Sequence, residues 1–345
     1  MSRLRREIHQ QPDVLTRLLD EQDGTAAKIA AAIRRRDVRY AVFAARGTSD
    51  NAARYAQYLF GALNRLPVAL ATPSLFSIYG TPPRLADALV LGVSQSGQTP
   101  DIVAVVEAGR RDGAVTVAVT NAPDSPLAQA AEHVLPLGAG EERAVAATKT
   151  YTGQLAALAL LAAHLAQDEE RLSALHRVPQ AVEVALSLDD AIARAAQRYA
   201  HVTQCVVLGR GYNYATAYEI ALKLKELTYV VAEPYSSADF RHGPVALVER
   251  GFPVVVVAPR GAVYDDVLAL THKLADRDAE LMVISGQDEA LDLARVPLRL
   301  PVGLPEWLSP FACVVPGQLL ALHATLAKGY DPDHPRGLTK VTKTR

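Results

Sequence analysis

Apolar residues run almost unbroken through Val38–Ala45, Ala88–Val93 and Val115–Thr120, with shorter pieces at Val68–Leu70 and Val134–Pro136. Short runs rich in Val, Ala and Leu, each ending in polar turn residues, predict strands buried on both faces. Between them the spacing becomes helical: Asn51–Leu63, with Ala53, Tyr58, Leu59 and Ala62 apolar, then Ile102–Arg111 and Ser125–Ala131. This alternation predicts an α/β fold with a parallel sheet covered on both faces. Upstream, Arg3–Arg36 mixes charged and apolar residues at helical spacing, which predicts one or two helices packed on the outside of the first domain. Glu141–Thr150 is polar and loop-like, and Thr152–Ala166 is an Ala-rich, strongly apolar helix expected to be buried.

The pattern then restarts. Strands are expected at Val202–Leu208, Val254–Ala258, Glu280–Ser285 and Val296–Leu300, with helices after the first and from Val263. Ala181–Tyr199 predicts one helix before this set and Glu306–Ala327 one after it. Counterparts lie about 165 residues apart (Phe43 with Val207, Leu91 with Val256, Val117 with Val283), which fits a domain duplication rather than a solenoid. Asp168–Pro179, charged and poor in apolar residues, is the expected junction. The expected organisation is a helical segment at 1–36, a first domain at 37–170, a connecting helix at 171–200, a second domain at 201–328 and a tail at 329–345.

Composition narrows the function classes. Half of the 345 residues are hydrophobic, enough for two cores, and 36 Lys and Arg against 37 Asp and Glu leave no bulk charge for nucleic acid or a membrane surface. The two cysteines make no disulfide framework, so a reducing, cytoplasmic setting is expected. MSRLRREIHQQPDVL lacks the apolar core of a signal peptide. No uninterrupted apolar run approaches the roughly 20 residues of a membrane span. The nine His and two Cys show no paired ligand spacing, so no metal is expected.

Candidate chemistry concentrates at strand ends. SQSGQT follows the Ala88–Val93 strand and opens a helix, where free N–H groups and the helix dipole suit an anion. Ser94, Gln95, Ser96 and Thr99 add side-chain donors, and Gly97 allows close approach; the concentration of donors favours a phosphate over an ordinary N-cap. The lysine of a P-loop is missing. RGTSD occupies the turn after the first strand, with Thr48 and Ser49 as hydroxyls and Arg46 as a possible anion clamp. That motif alone suits a tight turn with an N-cap equally well. GRGYNY has Tyr214 where a dinucleotide fingerprint needs its third glycine. In the helix that follows, Glu219, Lys223 and Glu226 stand at i, i+4 and i+7 on one face. A surface ion pair would explain two of them, but Tyr218, Leu222 and Tyr229 crowd the neighbouring faces. Three ionisable groups on a covered helix are costly unless paired or used. His242 lies in AEPYSSADFRHGP, expected to be a loop; alone it suits an exposed histidine better than a catalytic one. The tail DPDHPRGLTKVTK reads as disordered by composition, although Lys340 could fold back over a site.

These motifs, with REIHQQP, AATKTYTGQL and PRGLTK, resemble in order those of the double SIS (sugar isomerase) proteins over nearly the whole length. The resemblance is to the isomerase half of glucosamine-6-phosphate synthase and to the SIS-type glucosamine-6-phosphate deaminases. It implies two duplicated, flavodoxin-like, three-layer αβα domains with parallel sheets. It further implies sugar-phosphate binding at Ser94, Gln95, Ser96, Thr99, Thr48 and Ser49, with backbone at Val145, Ala146 and Ala147 lining the sugar. Glu226 would move a proton between C1 and C2, flanked by Glu219 and Lys223. A carboxylate that shuttles one proton between adjacent carbons needs no cofactor, so none is expected. His242, supplied by the partner subunit of a homodimer, would open the ring, and Lys340 would cover the site, where it could form an imine. Arg46 replaces the cysteine of the synthase turn. The residues begin Met1-Ser2, without the N-terminal cysteine nucleophile of the synthase's glutaminase domain, so glutamine-dependent amination by this polypeptide alone is not expected. The expected activity is glucosamine-6-phosphate deamination to fructose 6-phosphate and ammonia. Alternatives are a deglycase for fructosamine-type 6-phosphates, another amino-sugar-phosphate isomerase of the glutamine–fructose-6-phosphate transaminase type, and a non-catalytic phosphosugar-binding regulator.

Overall fold

The computed structural model describes residues 1–301, 303–340 and 344. The chain divides into two compact units. The first comprises 13–143, 147–176 and 339–345; the second comprises 1–12, 144–146 and 177–338.

In the first unit, β1 (Tyr40–Ala44), β2 (Val68–Leu70), β3 (Ala88–Ser94), β4 (Val115–Thr120) and β5 (His133–Pro136) form a parallel sheet in the order β2-β1-β3-β4-β5. β3 and β4 are buried at every residue, the pattern of strands covered on both faces. The helices of this part of the chain are α1 (Arg3–His9), which groups with the second unit, and α2 (Gln11–Arg34), then α3 (Thr48–Asn64), α4 (Ser74–Ser77), α5 (Pro100–Arg111), α6 (Pro126–Ala130), α7 (Lys149–Ala166) and α8 (Glu169–Leu175). Val42, Val90, Ile102, Val105, Val106 and Leu127 close one core of this unit.

The second unit repeats the plan with β6 (Gln204–Gly209), β7 (Val231–Ser236), β8 (Pro253–Val257), β9 (Glu280–Ser285) and β10 (Val296–Arg299), ordered β7-β6-β8-β9-β10 and again all parallel. Its helices are α9 (Val178–Leu186), α10 (Asp189–Arg198), α11 (Tyr214–Thr228), α12 (Ser237–Arg241), α13 (Tyr264–Ala275), α14 (Asp288–Leu291) and α15 (Ser309–Ala327). Two of the three expected counterparts, Leu91 with Val256 and Val117 with Val283, stand in matching rows, and the third is one residue out. Phe43 pairs with Leu91 and Leu91 with Val117, whereas Val256 pairs with Val283 and with Leu208. Leu208 therefore takes the row of Phe43, and Val207 faces the opposite side.

Other expectations change in instructive ways. Ala181–Tyr199 is two helices, α9 and α10, broken at Ser187-Leu188. The charged junction Asp168–Pro179 contains α8, whose first turn is capped by Asp168. α1, expected on the outside of the first domain, packs on α15 within the second unit; Leu4 and Ile8 are its fully buried residues. The region expected as a loop from Ala232 starts inside β7, an edge strand, and continues through α12. Its Glu-Pro-Tyr-Ser-Ser composition lacks a strand's alternation, and pairing with β6 decides its conformation.

Glu306–Ala327 is long and apolar enough for a membrane span by length and composition, a feature that a search for uninterrupted runs passes over. Nearly all of it is buried in the protein. α15 packs against α9, α10 and α11, and Gly317 permits the closest approach: a Cβ there would lie 2.2 Å from Ile220 Cγ1. Nor is the tail without structure. The Asp333 carboxylate accepts the N–H groups of Arg3 and Leu4 at 2.8 and 3.0 Å, and the Arg336 guanidinium lies 3.7 Å over the Tyr229 ring. The end of the expected tail, residues 341–343 and 345, lies outside the described residues.

Candidate active site

In the first unit, two turns leave the C-terminal ends of β1 and β3, the adjacent strands where the chain order reverses and where open α/β sheets place ligands. After β3, Ser94 is buried while Gln95, Ser96 and Thr99 are half-buried. The Ser94 hydroxyl accepts from Gly97 N–H at 3.0 Å and the Ser96 hydroxyl from Gln98 N–H at 3.3 Å, so the turn is shaped by its own side chains. Gly97 has φ +62°, and a Cβ there would stand 2.0 Å from Ser125 Oγ. The glycine is required by packing against the turn before α6, where the sequence suggested room for a ligand. Thr99 is the N-cap of α5 but makes no side-chain capping bond. The first-turn N–H groups thus lack that cap, and an anion suits such donors.

The turn after β1 divides its residues. Arg46 Nε and Nη2 donate to Asp101 Oδ2 at 2.9 and 2.7 Å, which matches its charge with a wholly buried carboxylate. Thr48 opens α3 and is half-buried. Ser49 is buried, and its hydroxyl accepts from Gln154 Nε2 on α7 at 2.9 Å, a contact between helices.

The same unit holds Lys340. Its ammonium donates to Glu142 Oε2 at 2.8 Å. Glu142 is buried and also accepts from Thr148 N–H, Thr150 N–H and the Thr150 hydroxyl at 3.0, 3.1 and 2.7 Å. Burial alone would raise its pKa. The Lys340 charge and these hydrogen bonds outweigh burial and hold it below the usual carboxylate range. Sequence reasoning missed Glu142, because nothing local separates it from the exposed Glu141 beside it. Of the Val145–Ala147 stretch, Ala146 is buried and its neighbours are half-buried. Ala144–Ala146 group with the second unit and Ala147 with the first.

In the second unit, β6 ends at Gly209, where a Cβ would lie 2.1 Å from the Asn213 carbonyl oxygen. The sharp Gly209–Asn213 turn sets the start of α11. On that helix Glu219 and Lys223 are almost fully buried, at 0% and 1% side-chain exposure, while Glu226 keeps 24%. Lys223 Nζ lies 2.5 Å from Glu226 Oε2 and 3.5 Å from Glu219 Oε1. This is not a solvated surface pair. It is one buried cation between two carboxylates, of which Glu226 reaches solvent.

His242 follows α12 directly. Its backbone N–H closes the helix on Asp239 O at 3.0 Å, the residue is exposed, and its ring makes no hydrogen bond among the described residues. Among the described residues no group of three or more His, Cys, Asp or Glu is placed to hold a metal.

The SIS domain model matches residues 36–164 and 199–328. The glutamine–fructose-6-phosphate aminotransferase (isomerizing) of Gloeobacter violaceus is 37% identical over 97% of this chain, which spans 57% of that protein. The chain thus covers little more than half the length of the aminotransferases it matches. A candidate phosphosugar isomerase from Silicibacter pomeroyi has a solved structure that aligns with TM-score 0.86 at 36% identity, over 96% of this chain and 100% of that one. The C-terminal domain of glucosamine-fructose-6-phosphate aminotransferase from Francisella tularensis aligns with TM-score 0.86 at 27% identity, over 97% and 98%.

Proposed function

The chain belongs to the SIS domain family, and from that premise we propose that it is a phosphosugar isomerase whose reaction is the deamination of glucosamine 6-phosphate. The observation that carries this reading is the α11 row, where a buried ammonium orients a carboxylate that still reaches solvent. A carboxylate in that setting suits the shuttling of one proton between adjacent carbons, a step that general acid–base catalysis performs alone.

In this reading the phosphate is held by Ser94, Gln95, Ser96 and Thr99 with the first turn of α5, and by Thr48; Ser49 and Arg46 shape that edge. Val145, Ala146 and Ala147 line the sugar. His242 takes and returns the proton that opens the ring, and its exposed, unbonded ring fits donation to the partner's site in a homodimer. Glu226 then removes the C2 proton of the open-chain aldehyde, giving an enolamine, and returns it to C1. The product imine at C2 takes up water and releases ammonia, leaving fructose 6-phosphate. Lys340 covers the sugar and can form an imine with it; in the free chain Glu142 keeps its ammonium in place.

The test is ammonia release from a panel of 2-amino-2-deoxy and 1-amino-1-deoxy sugar 6-phosphates. Glucosamine 6-phosphate is expected to release ammonia, and Glu226→Gln to abolish turnover while phosphosugar binding persists. Release of an amino acid from a 1-amino-1-deoxy substrate would move the reading to a deglycase. Binding without turnover across the panel would move it to a regulator.

A further inference from the structure

The arm that carries His242 has little structure of its own. β7 is an edge strand paired, among the described residues, only with β6, and α12 is five residues long. Its apolar anchor is Phe240, fully buried in the core of the second unit. Tyr235 before α12 and Val245 after it pack against the same core, but within α12 Phe240 is the one fully buried apolar side chain, which leaves the rotation of so short a helix weakly defined.

A polar anchor supplies the rest. Ser237 and Arg241 stand at i and i+4, one above the other on the same face of α12. Both reach Asp266 in the first turn of α13. Ser237 Oγ donates to Asp266 Oδ2 at 2.6 Å; Arg241 Nη1 donates to Oδ1, and Nη2 to the Asp266 backbone carbonyl at 2.5 Å. Arg210, from the turn after β6, forms an ion pair with the same carboxylate. One carboxylate thus joins α13, the β6 turn and both gripping residues of α12. The first unit has the simpler form of this device: Arg46 after β1 reaches Asp101 in the first turn of α5. In the second unit the acid holds the His242 arm as well.

We propose that Asp266 is a positioning residue for His242, fixing the rotation of α12 and hence the direction in which the next residue projects. This rests on the reading of His242 as the ring-opening group. Burial pushes the Asp266 carboxyl upward, but the bonds from Ser237, Arg241 and Arg210 outweigh it and hold the pKa at about 2. Asp266 therefore stays ionised at any working pH, and the device is an anchor rather than a switch.

The test compares two substrates on the full chain: glucosamine 6-phosphate, and an analogue deoxygenated at C5 that cannot close its ring through O5. Asp266→Asn, close in shape but uncharged, is expected to lower kcat on glucosamine 6-phosphate by about 10- to 100-fold, the scale of a small misplacement of a reacting group, with little change in KM. Turnover of the ring-blocked analogue should stay near wild type, and His242→Asn should show the same split. Arg241→Met should reproduce the pattern, and the double variant with Asp266→Asn should be no worse than either, as expected for members of one unit. If Asp266→Asn does not fold, Arg241→Met and Ser237→Ala carry the same test. Equal losses on both substrates, or no loss on either, would overturn the inference while leaving the proposed function standing. A wild-type chain that turns over neither substrate would overturn both.

Discussion

Replacing Lys223 by methionine separates a buried charge cluster from a surface ion pair. Methionine keeps the unbranched shape and removes the ammonium that lies 3.5 Å from Glu219 and 2.5 Å from Glu226. An exposed i,i+4 pair on a helix is worth about 0.3–0.5 kcal/mol, and its loss would be hard to detect. Here Lys223 and Glu219 are at 1% and 0% exposure, so the substitution leaves a wholly buried carboxylate without the cation it shares. Breaking a buried pair from one side costs roughly 3–5 kcal/mol, most of it the desolvation of the remaining charge. For a unit of this size that corresponds to a fall in Tm on the order of 6–20 °C. The assay is thermal and urea unfolding of Lys223→Met, Glu219→Gln and the double variant. An unchanged urea slope would confirm that stability, not compactness, has moved. The double variant should recover at least about 1 kcal/mol relative to the sum of the singles, because it removes both charges together. A Lys223→Met protein within about 1 kcal/mol of wild type, or strict additivity in the cycle, would refute the buried-cluster reasoning and return these residues to the surface-pair reading.

Two more predictions concern the first unit. Gly97→Ala combines a left-handed backbone with a Cβ placed 2.0 Å from Ser125 Oγ, so it should lower the urea-unfolding free energy by about 1–3 kcal/mol and weaken glucosamine 6-phosphate binding by calorimetry; Gly47→Ala, with φ +53° and nothing within 4 Å of its Cβ, should show the smaller cost of backbone strain alone. The depressed Glu142 pKa gives a pH signature: its stabilisation is complete above the unfolded carboxylate range of about 4.3 and is lost as pH falls through the lower folded value, so the Tm gap between wild type and Glu142→Gln should narrow on acidification, and a gap that widened would contradict the sign.

Much of the architecture is determined locally. The apolar runs at Ala88–Ser94 and Val115–Thr120 announce buried parallel strands, and the hydroxyl-rich turns RGTSD and SQSGQT announce helix starts at sheet ends. The i, i+4, i+7 spacing on α11 puts its three charges on one face in any helix that forms there. Such features depend on neighbours within a few residues, which is why periodicity reveals them. The tertiary structure decides what burial and distant pairing decide. Pairing with β6 makes a strand of a segment whose composition suggests a loop. Packing of α15 on α11, close enough to need Gly317 against Ile220, covers one side of that helix, and the fold leaves Glu219 and Lys223 almost without exposure. Glu142 meets Lys340 across 198 positions of sequence, and Ser237, Arg241 and Arg210 meet on Asp266 from separate segments. An acid's surroundings set its cost and its protonation, and those surroundings come from parts of the chain that no local window contains.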